Sequence, residues 1–209
     1  MTDEAAESGA EVRLRAATVA DAPFLAWGLN EAADGLFTTM FGKRAPAILS
    51  AVIAEPAHDF SFEHAVVAHD AGSLVGFCQG MPYGTPDGTD ALMRAAGIRS
   101  IRAGVVALMG RPVLTALGRH SPGEWYLQAI AVRPQVRGSG VGRALFADAF
   151  RRAAASGCQA LTLDVAAENP RARKLYERLG LRVESSSGKA VLLGGVQVLR
   201  MRAAVPGRD

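Results

Sequence analysis

Three glycines in five residues, Gly138, Gly140 and Gly142, stand between an apolar run and a long helical stretch, in Val132-Arg-Pro-Gln-Val-Arg-Gly-Ser-Gly-Val-Gly142. Glycine lets a backbone turn tightly and approach a ligand with no Cβ in the way. A helix that follows directly leaves its first N–H groups without internal partners, and its dipole adds partial positive charge. The segment therefore predicts a strand, a loop and a helix whose mouth suits a phosphate or pyrophosphate. Arg137 and Arg143 flank it.

Two common phosphate binders do not match. A P-loop needs Gly-Lys followed by Ser or Thr, and none follows here. A dinucleotide fingerprint needs a third glycine where Arg143 stands. Asp164 lies at a tolerable distance for a ribose-binding acid, but the chain lacks the parallel βαβ repeats of a dinucleotide fold. A nicotinamide-dependent oxidoreductase thus remains only a distant reading.

Around the loop the pattern alternates between short strands and helices. Val12 to Ala16 reads as a strand, and Thr18 and Asp21 offer caps for a helix through Leu29. Ala45 to Ala54 reads as a helix stopped by Pro56. His64–His69 and Leu74–Gln79 form a hairpin around Asp70-Ala-Gly-Ser73, read with a longer turn. Residues 85–122 look like a helical insertion, with Ile98, Ile101, Val105 and Leu108 on one stripe that suits core or interface, and Pro112 as a break. Next come a strand over Trp125–Val132, a helix from Val141 to Ser156 and a strand over Ala160–Val165. A helix over Asn169–Leu179 and strands from Leu181 and Val196 finish the chain. The reading is a mixed α/β sheet in one domain over residues 12–204, after a flexible tail over 1–11.

Composition narrows the class. A chain of 209 residues buries enough surface to need no disulfides or structural metal. Cys78 and Cys158 give no disulfide framework and read as small buried hydrophobes, which suits a reducing cytoplasm. The acidic N-terminus has no apolar core of a secretory signal, and the longest uncharged apolar stretch is short of a membrane span. The expected location is cytoplasmic. Only Lys43, Lys174 and Lys189 are lysines among 23 basic residues; the arginine excess reads as a GC-rich codon bias. With 6% aromatics and scattered arginines, nucleic-acid binding is not expected. His58 and His64 lack a third ligand at useful spacing, so no metal is expected.

Ile130-Ala-Val132, Pro134 and Arg137-Gly-Ser-Gly140-Val-Gly142 resemble the acetyl-CoA signature of the GCN5-related N-acetyltransferases (GNAT), [Q/R]-x-x-G-x-[G/A]. Gln135-x-x-Gly138-x-Gly140 also matches, and the register on Arg137 is preferred because Pro134 then falls three residues before it. Asp164-Val-Ala-Ala-Glu-Asn169 and Leu175-Tyr-Glu-Arg-Leu-Gly180 extend the resemblance over about sixty residues, closest to the ribosomal-protein N-terminal acetyltransferase branch. It implies a mostly antiparallel sheet with a splayed parallel pair of fourth and fifth strands. Helices would cover both faces, and the helical insertion would precede the fourth strand.

The resemblance also implies residue roles. Ile130, Ala131 and Val132 would offer strand backbone to the pantetheine arm of acetyl-CoA, with an N–H near Val132 polarising the thioester. Arg137, Gly138, Ser139, Gly140, Val141, Gly142 and Arg143 would hold the pyrophosphate, and Asn169, an N-cap by its own sequence, would add a contact. Tyr176 lies on an apolar stripe, where a core aromatic and a general acid for the departing thiolate both fit. Asp164, which matches the branch's glutamate one methylene short, or Glu124 through water, would take the amine proton; taken alone, each acid fits a salt bridge with one of the arginines slightly better. Alternation along the central strand puts Glu124, Tyr126 and Gln128 on a face with Ile130. The expected partners are acetyl-CoA and an amine acceptor, with no nucleic acid or membrane, and a homodimer remains open. An acyl-CoA-binding sensor without turnover is the alternative from another class.

Overall fold

A computed structural model describes residues 12–109, 120–189 and 197–206. The expected tail over 1–11, the Pro112 break and the strand start at Val196 lie outside the described residues. Among those described, seven strands form one sheet in the order β1-β2-β3-β4-β5-β7-β6. They are β1 (Arg13–Ala16), β2 (Ala65–Asp70), β3 (Ser73–Pro82), β4 (Glu124–Val132), β5 (Ala160–Ala166), β6 (Arg182–Ser186) and β7 (Val198–Ala204). Each neighbouring pair is antiparallel except β4 with β5.

The hairpin between β2 and β3 is tighter than its sequence suggests. Pairing continues to Asp70 opposite Ser73, leaving only Ala71 and Gly72 in the turn. Both have positive φ, 45° and 83°, the left-handed pair that matches the twist of two-residue hairpins.

Helices cover both faces. On one side lie α1 (Ala22–Ala32), α2 (Leu36–Phe41) and α3 (Ala45–Ile53), whose Leu25, Leu29, Leu49 and Val52 bury against Val67, Phe77, Ala129 and Ala131. A Cβ on Gly28 would sit 2.2 Å from the Phe77 ring, so this glycine in mid-helix lets α1 settle on the sheet. On the other side α6 (Val141–Ala155) packs Leu145, Phe146 and Ala149 over Cys78, Trp125, Leu127, Leu161 and Leu163. Between β3 and β4 run α4 (Thr89–Ala96) and α5 (Ser100–Met109), and α7 (Pro170–Arg178) follows β5.

The stripe read as core or interface is not core. Ile98, Ile101 and Val105 are 77%, 68% and 55% exposed, whereas Ala103 is buried. Among the described residues no helix is long and apolar enough to cross a membrane.

One irregularity shapes the centre of the sheet. Gln79 pairs with Ala129, but Gly80 pairs with Leu127, so Gln128 is an extra residue on β4. Such a bulge bends and twists its strand. The parallel pairing of β4 with β5 ends at Leu127 opposite Leu163, while β5 stays paired to β7 through Ala166. Beyond that point β4 and β5 part. The bulge also inverts the alternation: Trp125 and Leu127 face α6, and so do Ile130 and Val132, whereas Ala129 and Ala131 face α1. Ile130 therefore does not share the face of Glu124 and Tyr126.

Candidate active site

The glycine loop opens beyond the end of β4. Pro134–Val136 makes one 3₁₀ turn, and Gly138 and Gly140 then take φ of 92° and 91°, Gly140 forming the N-cap of α6. No atom lies within 4 Å of a Cβ built on either, so conformation rather than crowding calls for glycine at both. Ser139 N–H donates to Val136 O at 3.3 Å, and the first bond into the helix runs from Ala144 N–H to Gly140 O at 3.0 Å. The amides of Gly138, Gly140, Val141, Gly142 and Arg143 have no such partner among the described residues. They form a concentration of donors at a positive helix end, which is an anion site. Arg143 is exposed beside it.

Arg137 braces the loop instead of pointing freely into it. Its Nη2 donates to Glu31 Oε1 at 2.9 Å and its Nε to Val132 O at 3.1 Å, tying the loop to α1 and to the end of β4. Arg133 stacks across α1 as well, its guanidinium 4.0 Å from the Trp27 ring centre and 5.1 Å from that of Phe24.

Between loop and sheet lies the gap left by the splay. Arg133 N–H donates to Val75 O at 2.8 Å, so by alternation Ala131 bonds toward β3 while the backbone groups of Ile130 and Val132 face the gap. A cavity of about 50 Å³ sits there, lined by Gln128, Ile130, Leu163, Asp164, Tyr176 and Ala32 of α1. A wider depression of about 360 Å³ lies at the sheet edge around Arg182, Glu184 and Arg202. That depression is lined by the start of β5 and by β6 and β7, away from the parted ends of β4 and β5, whose Ile130 and Asp164 line the smaller space.

Three donors hold the Asp164 carboxylate. Arg200 grips it with Nε to Oδ1 at 2.9 Å and Nη2 to Oδ2 at 2.8 Å, and the Tyr126 hydroxyl donates to Oδ2 at 3.1 Å. His120 stacks on the Tyr126 ring, centres 5.5 Å apart and planes 9° apart. The carboxylate is therefore fixed in position by β4 and β7 together.

Tyr176 closes the cavity from α7. Its ring lies 6.0 Å from that of Phe146 on α6, and burial, with a smaller effect of the nearby Cys78, pushes its phenol up to about 12. The hydroxyl stays protonated at neutral pH and has no hydrogen bond among the described residues. Asn169 caps α7, its Oδ1 accepting from Ala172 N–H at 3.0 Å; its amide nitrogen is not used in that bond.

Asp164, Tyr176 and Ile130 thus line one cavity, and the loop follows β4 beyond it. Glu124 does not line that cavity. It starts β4, three residues before Leu127, which does, roughly 10 Å along an extended strand. Its carboxylate is buried, bonded to Arg202 and to Ser121 N–H. Cys78 is buried with its thiol pushed up to about 12 by that burial, far from nucleophilic. Among the described residues no group of three or more His, Cys, Asp or Glu could hold a metal. Sequence reading missed Gln128, Arg200 and the pairing of Tyr126 with Asp164. The first had a visible signal: the bulky apolar Leu127 and Ile130 are three apart, which strict alternation does not allow.

The fold has counterparts among known proteins. A crystal structure of an acetyltransferase is 25% identical, covering 93% of this chain and 100% of its own, with a TM-score of 0.62. An N-acetyltransferase from Staphylococcus aureus Mu50 shares the fold at 13% identity, over 91% of this chain and 100% of its own, with a TM-score of 0.65. The ribosomal-protein-S18-alanine N-acetyltransferase from Escherichia coli does so at 16% identity, over 95% and 97%, with a TM-score of 0.55. No curated protein matches. The family model described as "Acetyltransferase (GNAT) family" matches residues 31–181, a span that takes in the glycine loop, the parted strands and Tyr176, and the chain belongs to that family.

Proposed function

We propose that this acetyltransferase transfers the acetyl group of acetyl-CoA to a primary amine, of a small molecule or a peptide, by direct attack. One observation carries the reading: a mouth of unpartnered amides follows the strand that parts from β5, and the gap so opened holds a cavity lined by a carboxylate and a protonated phenol. In this reading the amides of Gly138, Gly140, Val141, Gly142 and Arg143 hold the pyrophosphate, with the Arg143 side chain alongside. The pantetheine arm bonds to the backbone of Ile130 and Val132, and an N–H of that stretch polarises the thioester carbonyl. Asn169 adds a contact through its amide nitrogen.

The amine nitrogen attacks the carbonyl carbon, and the C–S bond breaks as the tetrahedral intermediate collapses. Asp164 receives the proton that leaves nitrogen, and Tyr176 protonates the departing thiolate. Arg200 and Tyr126 fix Asp164 in place. Glu124, set at the far end of β4 against Arg202, serves the fold in this scheme. The two free cysteines, Cys78 and Cys158, suit action in a reducing cytoplasm.

The test follows free CoA thiol from acetyl-CoA with a panel of amines: a peptide with a free N-terminal alanine, Nα-acetyl-lysine amide and spermidine. Amine-dependent thiol release supports the enzyme. Tight CoA binding with no release from any of them supports the acyl-CoA sensor instead.

A further inference from the structure

We infer that Gln128 holds the acceptor amine beside the thioester. The inference rests on the acetyl-transfer reading and assigns one more residue of the same site. Gln128 is the residue that the β4 bulge inserts, at the step where pairing to β5 ends. A bulge re-aims a side chain as well as bending a strand, and this one gives Gln128 a place in the cavity wall with Ile130, Asp164 and Tyr176.

Its carboxamide oxygen is buried and has no hydrogen-bond partner among the described residues. A sealed acceptor left unbonded is costly and rare in folded proteins. The group that satisfies it is an N–H. Alternation from Leu127 sets Gln128 on the face of α1, whose Ala32 lines the same cavity. Tyr176, the proposed acid for the thiolate, packs against Phe146 on the opposite face. Nucleophile and leaving group thereby reach the carbonyl carbon from different sides of the sheet.

The chemistry of a carboxamide fits this place better than that of a second carboxylate. The attacking amine must be neutral, with its lone pair on the carbonyl carbon and its N–H bonds left for the protein. A carboxylate close by favours the ammonium form, whereas a neutral oxygen accepts an N–H without holding the extra proton. Gln128 accepts one N–H and Asp164 takes the proton that leaves.

The experiment uses whichever panel amine the wild-type protein acetylates, with Gln128→Leu and Gln128→Glu. The leucine variant is expected to raise the amine KM about tenfold, the loss of one hydrogen bond. Its acetyl-CoA Kd is expected to stay at the wild-type value, and its thermal midpoint to hold or rise because the unbonded oxygen is gone. The glutamate variant keeps the size of the side chain, so it serves even if the leucine variant fails to fold. It is expected to move the rising limb of kcat/KM against pH upward by about one unit. An unchanged amine KM in Gln128→Leu, an unshifted pH profile in Gln128→Glu, or a loss that falls on acetyl-CoA binding overturns the assignment while leaving acetyl transfer intact. A wild-type protein that neither binds CoA nor acetylates any amine overturns the reading beneath it.

Discussion

Asp164 and Arg200 are register partners on β5 and β7, and their side chains close a two-pronged ion pair at 2.9 and 2.8 Å. The carboxylate is 3% and the guanidinium 11% exposed. Arg200→Ala leaves a buried carboxylate without its guanidinium, and the expected cost is about 3–5 kcal/mol by urea unfolding. Asp164→Asn keeps the shape and removes the proposed proton acceptor. Its turnover is expected to fall about 10²-fold or more, with part of the loss recovered at high pH, where the amine is already neutral. A pH-independent loss would make Asp164 a structural acid only.

Tyr176→Phe keeps the ring that packs on Phe146 and deletes the hydroxyl. Turnover with saturating substrates is expected to fall about 10²-fold, while CoA affinity and thermal midpoint hold. Undiminished turnover removes Tyr176 from the chemistry.

Gly140 stands at φ 91° where α6 begins. Gly140→Ala forces a side chain into that conformation, at an expected cost of about 1–2 kcal/mol to folding. It also displaces the amides that follow, so the CoA Kd is expected to rise about tenfold or more by calorimetry. Arg143→Ala leaves the amides in place and is expected to weaken CoA only a few-fold, with the difference fading as salt rises.

Asp21 is held by Arg15 through two hydrogen bonds at 2.7 and 2.8 Å, and by the Thr18 N–H and hydroxyl at 2.8 and 3.0 Å. Arg15 above all, helped by Thr18 and opposed by burial, brings its carboxyl from 3.8 down to about 2. A depressed acid stabilises the fold above its unfolded value, and that contribution disappears as pH falls from about 4 to about 2. The denaturation midpoint of the wild type is expected to drop across that window. The gap between wild type and Asp21→Asn is expected to narrow with it.

What the chain disclosed on reading depended on how local the determinant was. The loop could be read because glycine, helix start and strand end are consecutive, and the Asn169 cap because Asn, Pro and the capped Ala172 amide lie within one turn. The bulge at Gln128 could not be placed by alternation alone, since it is defined by a register shift against β3, which is distant in sequence. Assuming unbroken alternation is what put Ile130 on the wrong face. Arg200 escaped notice because β7 reaches Asp164 from 36 residues away. The six residues of α2, Leu-Phe-Thr-Thr-Met-Phe, are too few to show a helical period. Asn30 supports them from outside, its side chain accepting from Thr38 N–H at 3.0 Å. The Ile98–Val105 stripe shows the converse: a clear period whose apolar side faces outward.

The proposed grip of the loop on coenzyme A is best measured amide by amide. In a ¹⁵N-labelled protein, adding CoA to millimolar concentration is expected to shift the resonances of Gly138, Gly140, Val141, Gly142 and Arg143 far more than those of β1 or α3. Dephosphorylated pantetheine is expected to leave those five in place. Loop resonances that stay put under CoA, or move equally with pantetheine, would contradict the account.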